Sequence, residues 1–249
     1  MDRKYITTQM NAFQKDYMTF MNLHYFPDYA LQTQEVSQIA ADSQGFGSIA
    51  TALYQPSTNQ HTLIISTNIP LVKHLMYHEF THILDSETLA NSDKMRYVGI
   101  SGYTEYHASQ IELAMLVGAV TIDTIPKFSM NTILSTFSGE KSVSQYVHEK
   151  YQLAIDLFSR KDFPANIQTL KTAFGVLHNY WGLRSICEMY ATDYSERIDN
   201  MSFLKFIPSA VFSALNRLMH GWLNKTEVDA CIPLYTYSIF PIIKDHHLA

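Results

Sequence analysis

The chain is poor in cysteine and in charged residues. Its 249 residues include two cysteines, too few for the disulfide framework on which small secreted domains depend. Charged residues make up 16% and apolar residues 47%, a balance that excludes general disorder. A chain of this length buries a sizeable core without covalent or metal cross-links.

Positive charge and long apolar runs are also scarce. Lysine and arginine total 18 against 23 acidic residues, which gives a net charge of −5, so we expect no nucleic-acid partner. The most apolar stretch, from Leu113 to Ile122, has about half the length that a membrane-spanning helix needs. The first ten residues are polar and lack the apolar region of a secretory signal. We therefore expect a cytoplasmic protein without membrane association.

The spacing of apolar residues predicts an α+β fold that is predominantly α-helical. Residues 1–35 have helical periodicity. Residues 45–54 and 61–67 predict two strands of a small antiparallel sheet, joined by a turn at 56–59. Further helices are predicted after Pro70, with Asn68 as the cap, over 104–120, and over most of 130–249, with a polar connector at 91–102.

One domain boundary is indicated near residue 125. Pro126, the Ser/Thr-rich stretch after it and Gly139 separate residues 1–125, a metal-binding core with an N-terminal helix, from a helical region at 126–249. No internal repeat, low-complexity tract or Gly/Ser linker accompanies the boundary. Both parts are therefore also compatible with one continuous domain.

The sequence His78-Glu79-Phe80-Thr81-His82 carries the clearest chemistry in the chain. Positions four apart share a helix face, so His78 and His82 can present imidazole nitrogens to one metal ion. Such a pair is typical of Zn²⁺, which lowers the pKa of its bound water toward about 7. Glu79 would then act as general base on that water. The alternative is two histidines on a partly buried helix face, bonded to backbone or carboxylate groups.

A catalytic zinc ion normally has three protein ligands, so a third ligand is required. Glu105 and Glu112 lie seven residues apart on the next predicted helix and share one face. Glu105 is the preferred third ligand because it lies in the first turn, close to the connector. Glu112 is the alternative, and it could instead be a partner of a ligating histidine. His107 and Asp85 remain further alternatives.

Other polar residues near the motif have weaker assignments. Asp85 could orient an imidazole, but a surface carboxylate is slightly favoured. His74 is interpreted as a surface residue. Arg184 and Glu188 predict an ion pair one helical turn apart. Four residues are candidate donors to the oxyanion of a tetrahedral intermediate: Tyr103, Tyr106, His107 and His178.

Residues 46–120 resemble the core of a zincin peptidase of the gluzincin type, and within that group the ImmA/IrrE-like metallopeptidases. The resemblance depends on the order of the hairpin, the His78-Glu79-x-x-His82 motif and the helix with Glu105 and Ala108. It implies a zincin-like core in which Glu105 is the third ligand. It also implies that the second strand, His61–Ser66, is an edge strand that pairs with extended substrate. Residues 125–249 match nothing in that family.

The sequence therefore predicts a zinc metallopeptidase that hydrolyses peptide bonds. Its ligands would be His78, His82 and Glu105 around one zinc ion per chain, with Glu79 as the catalytic base and a peptide or protein as substrate. The alternative is a regulatory or sensor protein with a zincin fold that binds a partner without general proteolytic turnover. The intact Glu79 favours the enzyme, because zinc binding alone does not require that carboxylate.

Overall fold

A computed structural model describes residues 2–35, 49–161, 163–164, 166–195 and 201–247. Its fold class is α+β and predominantly helical, as the sequence predicts. The strands are β1 (Tyr29–Gln34), β2 (Ala50–Gln55), β3 (Gln60–Ser66), β4 (Ile133–Thr136) and β5 (Gly139–Ser142). The helices are α1 (Arg3–Phe20), α2 (Lys73–Asp85), α3 (Lys94–Gly99), α4 (Ser101–Leu116), α5 (Val143–Ser159), α6 (Ile167–Tyr190), α7 (Met201–Leu204), α8 (Ser209–Leu218) and α9 (Lys225–His247), and a π-helical segment spans Ser86–Ala90.

Internal contacts group the chain into two compact units. The first contains residues 1–97 and 111–126, and the second contains residues 98–110 and 127–249. Helix α4 continues through this division, so its two ends belong to different units. The boundary near residue 125 and the alternative of one continuous domain stay predictions.

The predicted hairpin is confirmed, but the sheet that contains it is mixed rather than antiparallel. Strands β2 and β3 pair antiparallel, with Ala52 opposite Leu63. Strand β1 pairs parallel with the other side of β3, with Leu31 opposite the same Leu63. The prediction of β3 as an edge strand is therefore wrong, because β3 is the central strand and β2 is an edge among the described strands. The first residues of the predicted hairpin, 45–48, lie outside the described residues.

Strand β1 was hidden by the helical pattern that precedes it. The helical periodicity of α1 ends at Phe20. In β1, residues 29–32 alternate between partly buried and exposed, and residues 33 and 34 are both partly buried. Pro27 separates the two patterns, since a proline ring is incompatible with the interior of a helix. The predicted helix over 1–35 is therefore correct for its first part only.

Helix α2 begins later than predicted. Its N-cap is Val72, whose side chain makes no capping hydrogen bond. Asn68, the predicted cap, instead accepts a hydrogen bond from Ser66 Oγ at 2.7 Å. Two further short elements escaped the sequence analysis: α3 lies within the predicted connector, and the β4–β5 hairpin precedes α5.

The core of the first unit forms where α1 packs on α2. The Tyr17 ring lies 5.2 Å from that of Tyr77 and 5.5 Å from that of Phe80, measured between centroids. The Tyr17 hydroxyl is 3.0 Å from Thr81 Oγ1, which itself donates to the Tyr77 carbonyl. The Tyr17 hydroxyl is therefore the donor to Thr81, and burial raises its pKa far above the usual range.

The second unit is organised around α6. Sixteen of its residues are buried, from Thr169 to Cys187, so this helix is enclosed on all sides. Aromatic rings dominate the surrounding core, with Phe158 5.5 Å from Phe174 and Trp181 5.6 Å from Phe212. The predicted pair of Arg184 with Glu188 is confirmed at 3.5 Å, and this arginine also donates to backbone carbonyls at the end of α8.

No helix in the described part of the chain combines the length and the apolarity that crossing a membrane requires.

Replacing Tyr17 with Phe tests how much the buried hydroxyl contributes to the α1–α2 contact. The ring packing is kept, but the Thr81 oxygen loses a donor in a site without water access, which costs about 1 kcal/mol. Urea unfolding should therefore show that loss in Tyr17→Phe. Tyr25→Phe, at a residue 65% exposed, should unfold like the wild type. Equal stability of all three proteins would contradict a contribution from this hydrogen bond.

Candidate metal centre

Helix α2 divides the His-Glu-x-x-His motif between two environments. The middle residues, Phe80 and Thr81, are fully buried against α1. His78, Glu79 and His82 remain partly exposed. A period of 3.6 residues puts these three on one side of the helix and the middle pair on the other. The motif therefore serves core packing and ligand presentation at once.

The structure brings together the three residues that the sequence favours as ligands. His78, His82 and Glu105 each offer one ligand atom, and these atoms all lie within 4.8 Å of one another. All three side chains are partly exposed, so an ion can reach them. The other proposed third ligands, Glu112, His107 and Asp85, are not members of this group. These three residues can therefore hold a metal ion.

The carboxylate of Glu112 is hydrogen-bonded to Nδ1 of His78, the first histidine of the motif. Its Oε2 lies 3.1 Å from His78 Nδ1, and its carboxylate is 1% exposed. A carboxylate only accepts, so Nδ1 carries the proton and Nε2 is unprotonated, as a metal ligand has to be. Such an outer carboxylate fixes the ring orientation of a metal-binding histidine and raises its basicity. Glu112 thus fits the partner role that the sequence analysis named for it.

His74 is close to the second oxygen of the Glu112 carboxylate. Its Nε2 is 3.9 Å from Glu112 Oε1, and the residue is 3% exposed. The interpretation of His74 as a surface residue is therefore wrong. A buried carboxylate needs such neighbours because its desolvation is otherwise costly. Asp85 is likewise 3% exposed, so the surface position favoured for it is also wrong.

The carboxylate of Glu79 is held by the backbone of β2. The Ala52 amide donates to Glu79 Oε2 at 2.7 Å. The Ser66 amide bonds to the Ile49 carbonyl, so alternate residues of β2 face β3 and the Ala52 amide faces away from it. The edge of β2 therefore lies next to Glu79.

A second set of contacts holds the β2–β3 hairpin against the segment after α2. The His61 Nε2–H group donates to Glu87 Oε2 at 3.0 Å, and Asn59 Nδ2 donates to the same oxygen at 3.2 Å. The Tyr54 ring stacks on His61 at 4.6 Å, and its hydroxyl donates to Asn59. Glu87 belongs to the π-helical segment, so this network fixes the distance between the hairpin and the end of the metal-binding helix.

Two of the four candidate oxyanion donors are unsuited to that role. The Tyr106 hydroxyl donates to the Gly221 carbonyl at 2.6 Å, and its side chain is buried. His178 is fully buried, with Nδ1 donating to the Phe174 carbonyl at 2.7 Å and Nε2 without a hydrogen-bond partner. The donor hydrogens of Tyr106 and His178 are therefore both used in bonds to backbone carbonyls, and neither residue can donate to a substrate oxyanion. Tyr103 and His107, which stack at 5.6 Å, stay predictions.

Comparison with known protein families, with curated proteins and with solved structures finds no match for this chain. The resemblance to ImmA/IrrE-like metallopeptidases is therefore a hypothesis that rests on the residues of this chain.

Replacing Glu112 with Gln should weaken metal binding without abolishing it. The amide keeps the shape of the side chain but no longer stabilises the His78 ring in its ligand tautomer, so we expect zinc affinity to fall about 10- to 100-fold. Glu105→Gln should cost more, because it removes a ligand. Competition with a chromophoric chelator measures both. A larger loss in Glu112→Gln than in Glu105→Gln would contradict these two roles.

Burial of His178 makes the folded state sensitive to acid. Desolvation lowers the pKa of His178 to about 4, with the Phe174 carbonyl and the charge of Glu105 acting in the opposite direction. Below the usual pKa of about 6.5, His178 binds a proton in the unfolded chain but stays neutral in the folded chain. The free energy of unfolding therefore decreases as the pH is lowered. Between pH 6.5 and 5 this one residue contributes a loss of about 2 kcal/mol.

The variant His178→Phe should therefore lose less stability between pH 6.5 and 5 than the wild type. Urea unfolding of both metal-free proteins at the two pH values measures the difference. His148→Phe, at an exposed position of α5, is the control and should behave like the wild type. An unchanged pH dependence in His178→Phe would contradict a neutral, buried imidazole.

Proposed function

We propose that the protein is a zinc-dependent metallopeptidase in which Glu79 is the general base. The observation that carries the proposal is the group of His78, His82 and Glu105, whose ligand atoms lie within 4.8 Å of one another. Glu79 follows the first of these ligands on the same exposed side of α2. By the same proposal, β2, β3, α2 and α4 form a zincin-like core.

The donor chemistry supports zinc as the ion. Two imidazoles and one carboxylate match a catalytic zinc site, which leaves a coordination position for water or substrate. The buried Glu112 beside His78 is the outer partner that such a histidine ligand usually has. When bound, zinc supplies a Lewis acid that acidifies water and polarises a carbonyl group.

Glu79 moves the proton in this proposal. A general base needs a carboxylate within hydrogen-bond reach of its proton donor and in a fixed orientation. The Ala52 amide, 2.7 Å from Oε2, provides that orientation. Glu79 then delivers the proton to the leaving amine.

The edge of β2 favours peptides or proteins as substrates. An extended peptide can add to a sheet edge through main-chain hydrogen bonds. Among the described strands β2 pairs on one side only, with β3, and the amide of Ala52 on its other side reaches Glu79. A peptide that pairs with this edge would have to take the Ala52 amide from Glu79, which would bring the peptide backbone next to the base. The sequence analysis placed substrate on the second strand, and the first strand of the hairpin now takes that role.

Replacing Glu79 with Gln separates catalysis from metal binding. We expect about one zinc per chain in wild type and variant, because Glu79 is not a ligand, and loss of about 10²- to 10⁴-fold in peptide hydrolysis, because the base is gone. Metal content by plasma mass spectrometry and cleavage of a mixed peptide library by mass spectrometry measure the two properties. Glu140→Gln, at an exposed residue of β5, is the control and should keep both.

Two outcomes of the same measurements would contradict the proposal. A wild type that takes up no zinc from solution would remove the metal centre. A zinc-loaded wild type that cleaves no peptide in the library, with biological function retained in Glu79→Gln, would favour the regulatory protein that acts by binding alone.

A further inference from the structure

We infer that Gly175 of α6 is a positioning residue for Glu105, the third ligand of the proposed zinc site. Gly175 is buried within a helix and has no side chain of its own to pack. A Cβ atom placed on it would lie 3.5 Å from Glu105 Oε1 and 3.6 Å from Glu105 Cδ. A methyl group therefore fits between Gly175 and the Glu105 carboxylate, and a larger side chain would displace the carboxylate.

The contact with Gly175 is part of a close approach between α4 and α6. A Cβ on Gly182 would lie 2.2 Å from the Tyr106 carbonyl oxygen, and a Cβ on Gly102 would lie 2.5 Å from His178 Nε2. Real Cβ atoms do not come that near to other atoms. Gly182 is therefore required for this helix separation, because it faces the backbone of α4, and Gly102 leaves room for the buried His178 ring. Gly175 is different, because a methyl group there would make an ordinary contact.

Buried hydrogen bonds hold the two helices in register. Ser109 Oγ donates to Asn179 Oδ1 at 2.7 Å, and Gln110 Nε2 donates to Ser185 Oγ at 2.7 Å. Ser109 and Gln110 lie four and five residues after Glu105 on α4, in the same unit as Gly175. Neither helix can therefore shift along the other without leaving buried polar groups unpaired, which is unfavourable.

The position of Glu105 consequently depends on the size of residue 175. The methyl group of an alanine fits, since 3.5 Å is a favourable separation between non-bonded atoms. A valine extends about 1.5 Å beyond Cβ and has little rotamer freedom in a helix, so it must push the carboxylate aside. Residue 175 thus limits where the third ligand can reach.

The experiment is a size series at residue 175, read as zinc affinity by chelator competition. We expect Gly175→Ala to stay within about 3-fold of the wild type, because its contact is ordinary van der Waals packing. We expect Gly175→Val to lose about 10- to 100-fold, the range found for disturbed supports of metal ligands. Val176→Ile adds one carbon to the neighbouring residue, about 100° around the helix, and should match the wild type.

A second background distinguishes positioning of the ligand from general damage. In Glu105→Gln the third ligand is already absent, so adding Gly175→Val should cause no further loss of the residual zinc affinity. Far-ultraviolet circular dichroism and thermal unfolding of each variant identify proteins that fail to fold. For any such protein Gly175→Ser, a smaller step in size, replaces Gly175→Val.

The outcomes separate this inference from the proposed function. Zinc binding in the wild type with equal affinity in folded Gly175→Val overturns the positioning role and leaves the metal centre intact. A further loss in the Glu105→Gln background also overturns it, because the effect then does not pass through Glu105. A wild type that binds no zinc overturns the metal centre itself.

Discussion

One face of helix α4 carries the two carboxylates on which the candidate metal centre depends. Glu105 and Glu112 are seven residues apart, about 10.5 Å along the axis, and therefore lie on the same side of the helix. Glu105 belongs to the candidate ligand group, and Glu112 accepts a hydrogen bond from His78 Nδ1. A single helix thus carries one candidate ligand and the hydrogen-bond partner of another. Any bend or rotation of α4 would disturb both functions together.

Helix α2 likewise combines two functions within the histidine motif. Its metal-facing residues are separated by two that face α1, where Thr81 accepts from Tyr17. The stability of the first unit and the geometry of the site therefore come from one helix. Because Ala52 and Glu79 are also joined, the hairpin, α1 and α2 form a continuous network around the proposed base.

The sequence predicted that His78 and His82 share a helix face, because helical periodicity can be read from spacing, and it favoured Glu105 beside them. The structure groups these three residues, and the role of Glu79 as base stays a prediction. It did not predict which strand is at the sheet edge. That property depends on the parallel pairing of β1 with β3, a contact between residues about thirty positions apart, and such pairings leave no local pattern. The burial of His74 and Asp85 was missed for a related reason. Polar residues next to a motif resemble surface residues until their partners on other elements are known, as Glu112 is for His74. The proximity of Glu105 to Gly175 could not be predicted either, because the sequence does not show which residue packs against a glycine in a helix.

The π-helical segment after α2 has a consequence for how this chain aligns with others. A π-helical turn contains about one residue more than an α-helical turn over nearly the same rise, so Ser86–Ala90 ends the helix begun by α2 with a wider turn that behaves as a one-residue insertion. Glu87, which bonds to His61, lies within this turn. A distant relative with a regular helix here would differ by a one-residue gap just beyond its histidine motif. Aligned without that gap, its residues between the motif and the third ligand would all be matched one position out of register.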